Sequence, residues 1–214
     1  MKDIRAVRGA SLIHSLIAQG EHEHQDFKFA ISDARKIARS ISAFANNDGG
    51  RLLIGVKDNG VVAGVRNEED IYVVEQAAER YCRPAVTVEF KGYKVDGTLL
   101  VIVAEIEACA SRPIMASEPD GFWRAYYRVA DENIAAHPLM VEAWRRSSRA
   151  LAFEEIHGAV TAFVGASDAP VDVRDIALGL HIGTPRAESA VADLVAAGLL
   201  RFIYHHGEFR IIVA

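Results

Sequence analysis

The first residues that could do chemistry are four cations in the N-terminal part of the chain: Lys28, Arg35, Lys36 and Arg39. The last three lie on the side of a helical pattern opposite its apolar residues, so we expect solvent to reach them. Cations on an exposed helix face, with a further lysine nearby, can follow the phosphates of a nucleic acid. An ordinary solvated helix face is the alternative, and Asp33 offsets part of the charge.

Two predicted strands hold further charged side chains. Arg128 lies in an apolar strand beside Tyr126 and Tyr127. An arginine in such a place needs a partner, which is either a carboxylate or a bound anion. Lys28 follows Asp26 by two residues, so both should share one strand face. An ion pair between them is the alternative to phosphate binding by Lys28, and such a pair contributes little if it is exposed.

Other chemical motifs are weak. His22 and His24 would share a strand face and a metal could bridge them, but no third ligand follows at metal-site spacing. Cys82 and Cys109 lack a neighbouring histidine, and no GxSxG sequence occurs, so nucleophilic catalysis has no support. Gly49-Gly50 has no Walker spacing and is read as a turn, so we do not expect ATP binding.

Spacing and turn signals in residues 1–149 predict a mixture of helices and strands. The helices are expected at residues 11–19, 33–46, 68–81 and 138–149. The strands are expected at residues 24–29, 51–57, 61–65, 86–93, 98–107 and 122–129. Asn59-Gly60 favours a type I′ turn, and Asp96-Gly97 marks a second hairpin. This order favours an α+β domain, with a mixed sheet and flanking helices, over a Rossmann fold.

The composition changes after residue 149. The pattern predicts three helices and two strands, at residues 151–165, 172–180, 185–197, 201–204 and 208–213. This is the layout of a winged helix-turn-helix. The expected fold class is therefore an α+β domain at residues 1–138, a connecting helix at residues 139–149 and a small C-terminal winged-helix domain at residues 150–214.

The charge is distributed unevenly along the chain. The 214 residues are 50% hydrophobic and 25% charged with a net charge of -5, which excludes collagen, a disordered polymer and a disulfide scaffold. Residues 1–66 hold ten basic and seven acidic residues, whereas residues 150–214 hold four and eight. We therefore expect nucleic acid to bind at the N-terminal domain.

The predicted recognition helix of the C-terminal domain has one arginine, Arg186, against the acids Glu188 and Asp193. One cation against two acids disfavours the binding of this helix in a DNA groove, which is lined with phosphates. We expect this domain to mediate dimerisation or another protein contact, and we expect a homodimer. The chain lacks a run of 18 apolar residues and a signal-type N-terminus, so we expect a cytoplasmic protein without a membrane span.

A series of motifs runs from Glu21 to Gly64 and continues near residue 128. The motifs are Glu21-x4-Asp26-Phe27-Lys28, the segment Ile41 to Asn46, Gly49-Gly50, the segment Leu53 to Gly60, and Gly64. Tyr127-Arg128-Val129 follows, with Asn133 and Ala135 beyond it. Over about residues 10–140 the chain resembles the Schlafen AlbA-type DNA-binding domain, a family widespread in bacteria. Many bacterial members carry a winged helix downstream.

The resemblance implies nucleic-acid binding, with Asn46 and Arg128 joining the four cations named first. Some relatives are metal-dependent endoribonucleases, and their acidic residues map onto Glu21, Asp26 and Asp58. Convergent carboxylates can hold Mg²⁺ or Mn²⁺ and orient a phosphate. The alternative is that Glu21 and Asp26 are ordinary carboxylates and Asp58 serves its turn.

Three functions follow from these observations. The leading one is a bacterial nucleic-acid-binding protein, such as a transcriptional regulator, which binds DNA or RNA phosphates through the N-terminal domain. The second is a ribonuclease that uses the three carboxylates as catalytic and metal-binding residues. The third is a protein-interaction or dimerisation module.

Overall fold

The computed structural model describes residue 4, residues 6–65 and residues 69–214. The chain divides into two compact units, Met1–Ala135 and Ala136–Ala214, which we call unit 1 and unit 2. The predicted start of the third helix at Glu68 lies outside the described residues.

Unit 1 contains three helices and nine strands within its described residues. The helices are α1 Ala10–Ile17, α2 Ala34–Asn46 and α3 Glu69–Arg80. The strands are β1 Val7–Arg8, β2 Gln25–Lys28, β3 Gly50–Ile54, β4 Cys82–Arg83, β5 Val88–Val95, β6 Leu99–Ile106, β7 Met115–Ser117, β8 Trp123–Val129 and β9 Glu132–Ala135. The α+β class and the mixed sheet are confirmed.

The larger sheet has five strands in the order β1-β5-β6-β3-β2. Its two outer pairs, β1 with β5 and β2 with β3, are parallel, and its inner pairs are antiparallel. The β5–β6 turn has positive φ at both Asp96 and Gly97, as the Asp-Gly signal predicts. Asp26 and Lys28 therefore stand on a strand at the sheet edge.

The smaller sheet has the order β4-β7-β8-β9 and packs on α2. The main core joins apolar residues of α2 to both sheets, among them Ile41 and Phe44 of α2, Leu52 of β3 and Tyr126 of β8. Helix α2 is consequently the central element of unit 1, because it packs against both sheets.

Local chemistry explains the bounds of α2. The Asp33 side chain accepts hydrogen bonds from the backbone N–H groups of Arg35 and Lys36, which caps the first turn. The helix ends at Asn46, and the turn that follows contains Gly49, where φ is +80° and a Cβ atom would lie 2.9 Å from the Ile106 carbonyl oxygen. Only glycine suits this turn without strain.

Three features of the structure differ from the sequence-based expectation. Residues 61–65 do not form a strand, because only an isolated bridge joins Val56 and Val62. Positive φ occurs at Gly60 but not at Asn59, so the turn there is not type I′. The short strands β1, β4, β7 and β9 were not expected, because pairing to neighbours rather than local pattern defines strands of two to four residues.

Unit 2 contains four helices and a hairpin: α4 Pro138–Arg146, α5 Glu155–Ala166, α6 Val173–Gly179, α7 Thr184–Ala196, β10 Leu200–His205 and β11 Glu208–Val213. Its buried residues include Val160 of α5, Ile176 of α6 and Leu194 of α7. The helix α4 packs on α7 within unit 2. Arg146 of α4 donates hydrogen bonds to the Ser189 and Asp193 side chains of α7, at 3.1 and 3.0 Å.

In the part of the chain that the structure describes, no helix has the length and apolar character needed to cross a membrane.

Candidate nucleic-acid interface

Asp26 lies at the centre of a buried charged cluster between the two sheets. Asp26 is 4% exposed to solvent. One carboxylate oxygen lies 2.7 Å from Nζ of Lys28, and the other lies 3.6 Å from Nη2 of Arg128. The Ser40 hydroxyl donates to Asp26 at 3.4 Å. Two cations therefore already neutralise this carboxylate.

Arg128 is 1% exposed and is surrounded by acceptors. Its Nη1 donates to the Asn133 amide oxygen at 2.9 Å, and further long contacts reach the carbonyl oxygens of His22 and Gln25, both at 3.4 Å. The guanidinium also lies 5.2 Å from the centre of the Phe44 ring. The partner that its position requires is therefore the Asp26 carboxylate. Solvent hardly reaches Arg128, so the structure adds no support to the prediction that Arg128 contacts nucleic acid.

Asn46 is also a structural residue. It is fully buried, and its amide N–H groups donate to the carbonyl oxygens of Ile114 at 2.9 Å and Tyr126 at 3.0 Å. Its amide oxygen accepts from the Ile114 N–H at 2.8 Å. Both polar atoms of its side chain bind the backbone of Ile114 or Tyr126, so the structure adds no support to the prediction that Asn46 binds nucleic acid.

The structure brings Glu21 and Asp26 together. Glu21 accepts from the Phe27 N–H at 2.8 Å. Burial raises the pKa of Glu21, and a hydrogen bond shared with the Asp26 carboxyl raises it further. Two carboxyl groups can share such a bond only when one is protonated.

Asp58 lies on an exposed turn after Val56. Within residues 6–65 and 69–214, no group of three or more His, Cys, Asp or Glu side chains is placed to hold a metal ion. Asp26 already has two cationic partners, Lys28 and Arg128. The described structure therefore adds no support for Mg²⁺ or Mn²⁺ at Glu21, Asp26 and Asp58, and their catalytic and metal-binding role stays a prediction.

The two histidines that could bridge a metal are engaged locally. The Nδ1 atom of His22 accepts from the His24 N–H at 3.2 Å, and Nδ1 of His24 lies 3.0 Å from the Gly49 carbonyl oxygen. A groove of about 650 Å³ beside Gly49 is also lined by acidic side chains, those of Asp48, Glu105 and Glu107. This charge makes the glycine turn a poor phosphate site.

The N-terminal half of α2 retains the predicted cations. Lys36 is exposed, and Arg35 is half-buried with its guanidinium 4.9 Å from the centre of the Tyr81 ring. Arg39 lies 5.7 Å from the centre of the Tyr126 ring and forms an ion pair with Glu118. Among the described residues, Arg35 and Lys36 have no carboxylate partner, so their charge is available to a ligand.

Further cations and rings lie on the smaller sheet. Exposed Arg83 of β4 lies 4.1 Å from the centre of the Trp123 ring on β8. Ser117 of β7 pairs with Trp123, and the Ser117 N–H donates at 2.9 Å to the carbonyl of Tyr81, the residue whose ring lies against Arg35. Arg124 follows Trp123 and pairs with Asp120.

We call the exposed and half-buried cations and rings of α2 and the neighbouring strands, taken together, the cation–aromatic surface. It comprises Arg35, Lys36, Arg39, Tyr81, Arg83, Trp123 and Arg124. The sequence reasoning missed Arg83 and Trp123, because they meet only through strand pairing. The run Phe122-Trp123-Arg124, an aromatic pair followed by a cation, was the one local signal.

Glu118 anchors Arg39 at the edge of this surface. The residue is 3% exposed, and it accepts from the Arg39 guanidinium and, at 2.6 Å, from the Tyr126 hydroxyl. The hydrogen bond from Arg39 holds the pKa of Glu118 below its ordinary value of 4.5. Burial and this same network raise the pKa of Tyr126 to about 12.

The Glu118 network should make stability sensitive to acid. Because the folded-state pKa is lower than the unfolded one, the network stabilises the fold above pH 4.5, and this contribution is lost as pH falls through the folded pKa. We expect Glu118→Gln to lose less unfolding free energy than the wild type between about pH 7 and pH 3 in urea titrations.

The matched control for this titration is Glu132→Gln, which removes an exposed carboxylate from β9. Its acid dependence should follow that of the wild type. Identical pH profiles for Glu118→Gln and the wild type would show that the Arg39–Glu118 pair does not stabilise the fold.

Comparison with known proteins places the fold in a family. The family model of Schlafen, AlbA_2 matches residues 21–137. The DIP2311 protein of Corynebacterium diphtheriae is 20% identical with a TM-score of 0.44, covering 72% of this chain and 33% of that protein. The N-terminal domain of a RecG-related protein of Nitrosomonas europaea is 22% identical with a TM-score of 0.41, covering 70% and 96%.

The chain thus spans about a third of the length of the Corynebacterium protein. No curated protein matches the sequence. The resemblance noted from the motifs is confirmed by the family model, which covers more than half of the chain. The protein belongs to the Schlafen, AlbA_2 family.

Proposed function

We propose that the protein binds nucleic acid through the cation–aromatic surface of unit 1. The observation that carries this proposal is the presence of three cations without carboxylate partners in the described chain, Arg35, Lys36 and Arg83, next to aromatic rings. Membership of the Schlafen, AlbA_2 family supports a nucleic-acid-related role.

The charge of this surface suits a polyanion although the whole chain is acidic. Cations on a nucleic-acid site act by displacing the counterions of the phosphates, so each contact adds affinity and salt dependence. Two further arginines, Arg39 and Arg124, are ion-paired at the same face and can reorient toward phosphates at some cost. Lys28 is mostly engaged with Asp26 and is a weaker candidate than the α2 cations.

Unit 2 is proposed to be a winged-helix module that contacts protein. Helices α5 to α7 precede the hairpin, and a bridge between Val171 and Ile211 adds a third extended segment to it. On α7, Asp193 and Ser189 are occupied by Arg146. This leaves Arg186 and Glu188 exposed, a balance that favours dimerisation or a partner protein over DNA.

The proposed role is therefore a nucleic-acid-binding regulator of bacterial type, acting in the cytoplasm as a homodimer. The metal-dependent ribonuclease alternative stays a prediction, because the geometry of the three carboxylates adds no support to it.

The binding proposal is tested with the full chain and fluorescently labelled DNA and RNA, by anisotropy at about 50 and 200 mM salt. The variant Arg35→Ala/Lys36→Ala/Arg83→Ala should bind at least about tenfold more weakly at low salt. Its slope of log affinity against log salt should also fall by about two to three.

The control variant, Lys57→Ala/Lys94→Ala/Arg201→Ala, removes three exposed cations elsewhere and changes the net charge equally. It should bind as the wild type does. Equal losses in the two triple variants would show that binding depends on overall charge and not on this surface. The complete absence of binding at low salt would favour the protein-interaction alternative.

A further inference from the structure

The turn between β7 and β8 presents an aromatic side chain to solvent at the edge of the cation–aromatic surface. Phe122 is 67% exposed, although most of its neighbours along β8 are buried or half-buried. Next to it, Trp123 is half-buried under the Arg83 guanidinium. A single exposed phenylalanine is ordinary, but the turn of this one binds two arginines, Arg124 through Asp120 and Arg39 through Glu118, so the ring stands in a surface of defined chemistry.

The turn that carries Phe122 is well ordered by hydrogen bonds. The Glu118 N–H donates to the Phe122 carbonyl at 2.8 Å, and the Gly121 N–H donates to the Glu118 carbonyl at 3.0 Å. The Asp120 side chain accepts from the Phe122 N–H at 3.0 Å and from Arg124 at 2.8 Å. The backbone that carries the phenyl ring is therefore ordered before a ligand binds, which lowers the entropic cost of binding.

The base of this turn is anchored to the rest of the surface. Glu118 is buried and is bound by both Arg39 and Tyr126. Through this carboxylate the turn that carries Phe122 is fixed relative to Arg39 of α2. A ligand on the ring would therefore lie near two arginines, Arg39 and Arg124.

Given the proposed function, on which this inference rests, we propose that the cation–aromatic surface binds single-stranded nucleic acid by stacking an unpaired base on Phe122. Every base has a π-face, and base–aromatic stacking adds affinity independently of sequence. In a duplex the base faces are covered by their neighbours, so an aromatic side chain adds nothing there. The cations act on both forms, whereas the ring acts on unpaired bases alone.

The experiment measures binding of the full chain to three labelled ligands of about 16 units: a DNA strand, an RNA strand of the same sequence, and a DNA duplex. The wild type should bind the single strands more tightly than the duplex. Phe122→Ala should weaken single-strand binding about 5- to 100-fold and leave duplex binding unchanged. Phe122→Tyr, which keeps the ring, should retain the preference.

Tyr72→Ala is the matched control, because Tyr72 is an aromatic residue of α3 with 59% exposure. It should leave all three affinities unchanged. Comparison of the single-stranded DNA with the single-stranded RNA shows which nucleic acid the surface prefers, because the two ligands differ in their sugar.

The outcomes separate this inference from the proposed function. If no ligand binds at low salt, the proposed function fails and this inference fails with it. If all ligands bind but Phe122→Ala has no effect on single strands, the inference alone is overturned, and the ring then belongs to a protein contact. An equal loss for duplex and single strands would also overturn it, because stacking on unpaired bases predicts a selective loss.

Discussion

Replacing Arg128 with methionine is expected to lower the free energy of unfolding by about 3–5 kcal/mol. The guanidinium is 1% exposed and is one of two cations that neutralise the buried Asp26 carboxylate. Removal of one partner of a buried pair costs more than the pair contributed, because the other charge stays buried. Asn133 would lose its donor as well.

Urea unfolding followed by circular dichroism measures this loss. The matched control is Arg124→Met on the same strand, where the side chain is 47% exposed and pairs with an exposed aspartate. It should cost less than about 1 kcal/mol. In the double variant Asp26→Asn/Arg128→Met, part of the lost stability should return, since no buried charge is left unpaired. A loss below about 1 kcal/mol for Arg128→Met alone would contradict the structural role.

Replacing Asn46 with alanine is expected to destabilise the fold by about 3–5 kcal/mol. The change leaves the Ile114 N–H and the Tyr126 carbonyl without the partner that Asn46 supplies. Each unsatisfied buried polar group costs about 1–3 kcal/mol, and the lost side chain also leaves a small void. The Ile114 carbonyl keeps a second donor, the Ser42 hydroxyl at 2.7 Å.

Asn59→Ala is the control for this variant. Asn59 lies in an exposed turn, where its side chain accepts one hydrogen bond from the Val61 N–H at 3.2 Å. It should cost well under about 1 kcal/mol. Under conditions in which Asn46→Ala remains folded, its affinity for nucleic acid should equal that of the wild type. A selective loss of affinity without a loss of stability would support the predicted role of Asn46 in nucleic-acid binding.

These two residues show why the candidate site was only partly predictable. Helix α2 was predicted correctly, because its capping aspartate and its apolar stripe are local signals. Its exposed cations followed from the same pattern. Asn46 was assigned to nucleic acid because it stands in a motif, and Arg128 because an arginine in an apolar strand needs a carboxylate or an anion as its partner. Neither argument reveals on which side of α2 a second sheet packs, or that Asp26 is the partner of Arg128.

That second sheet was the missing information. Its strands β4 and β7 are two and three residues long, and no alternating pattern marks them. β4 pairs with β7 and β7 pairs with β8, while side chains of Ser42 and Asn46 bind the backbone of Ile114 just before β7, across 72 and 68 residues of sequence. For the same reason the proximity of Arg83 and Trp123 could not be foreseen from their places in the sequence.

The two ends of α2 have different tolerance for change. Near its C-terminus, amide and hydroxyl groups of Asn46 and Ser42 hold the backbone of the smaller sheet, so substitutions there threaten the fold. Near its N-terminus, Arg35 and Lys36 form no ion pair with a buried carboxylate in the described chain. A lineage carrying this scaffold can therefore vary its ligand preference at one end of a helix while the other end preserves the architecture, which makes α2 a natural site for functional divergence.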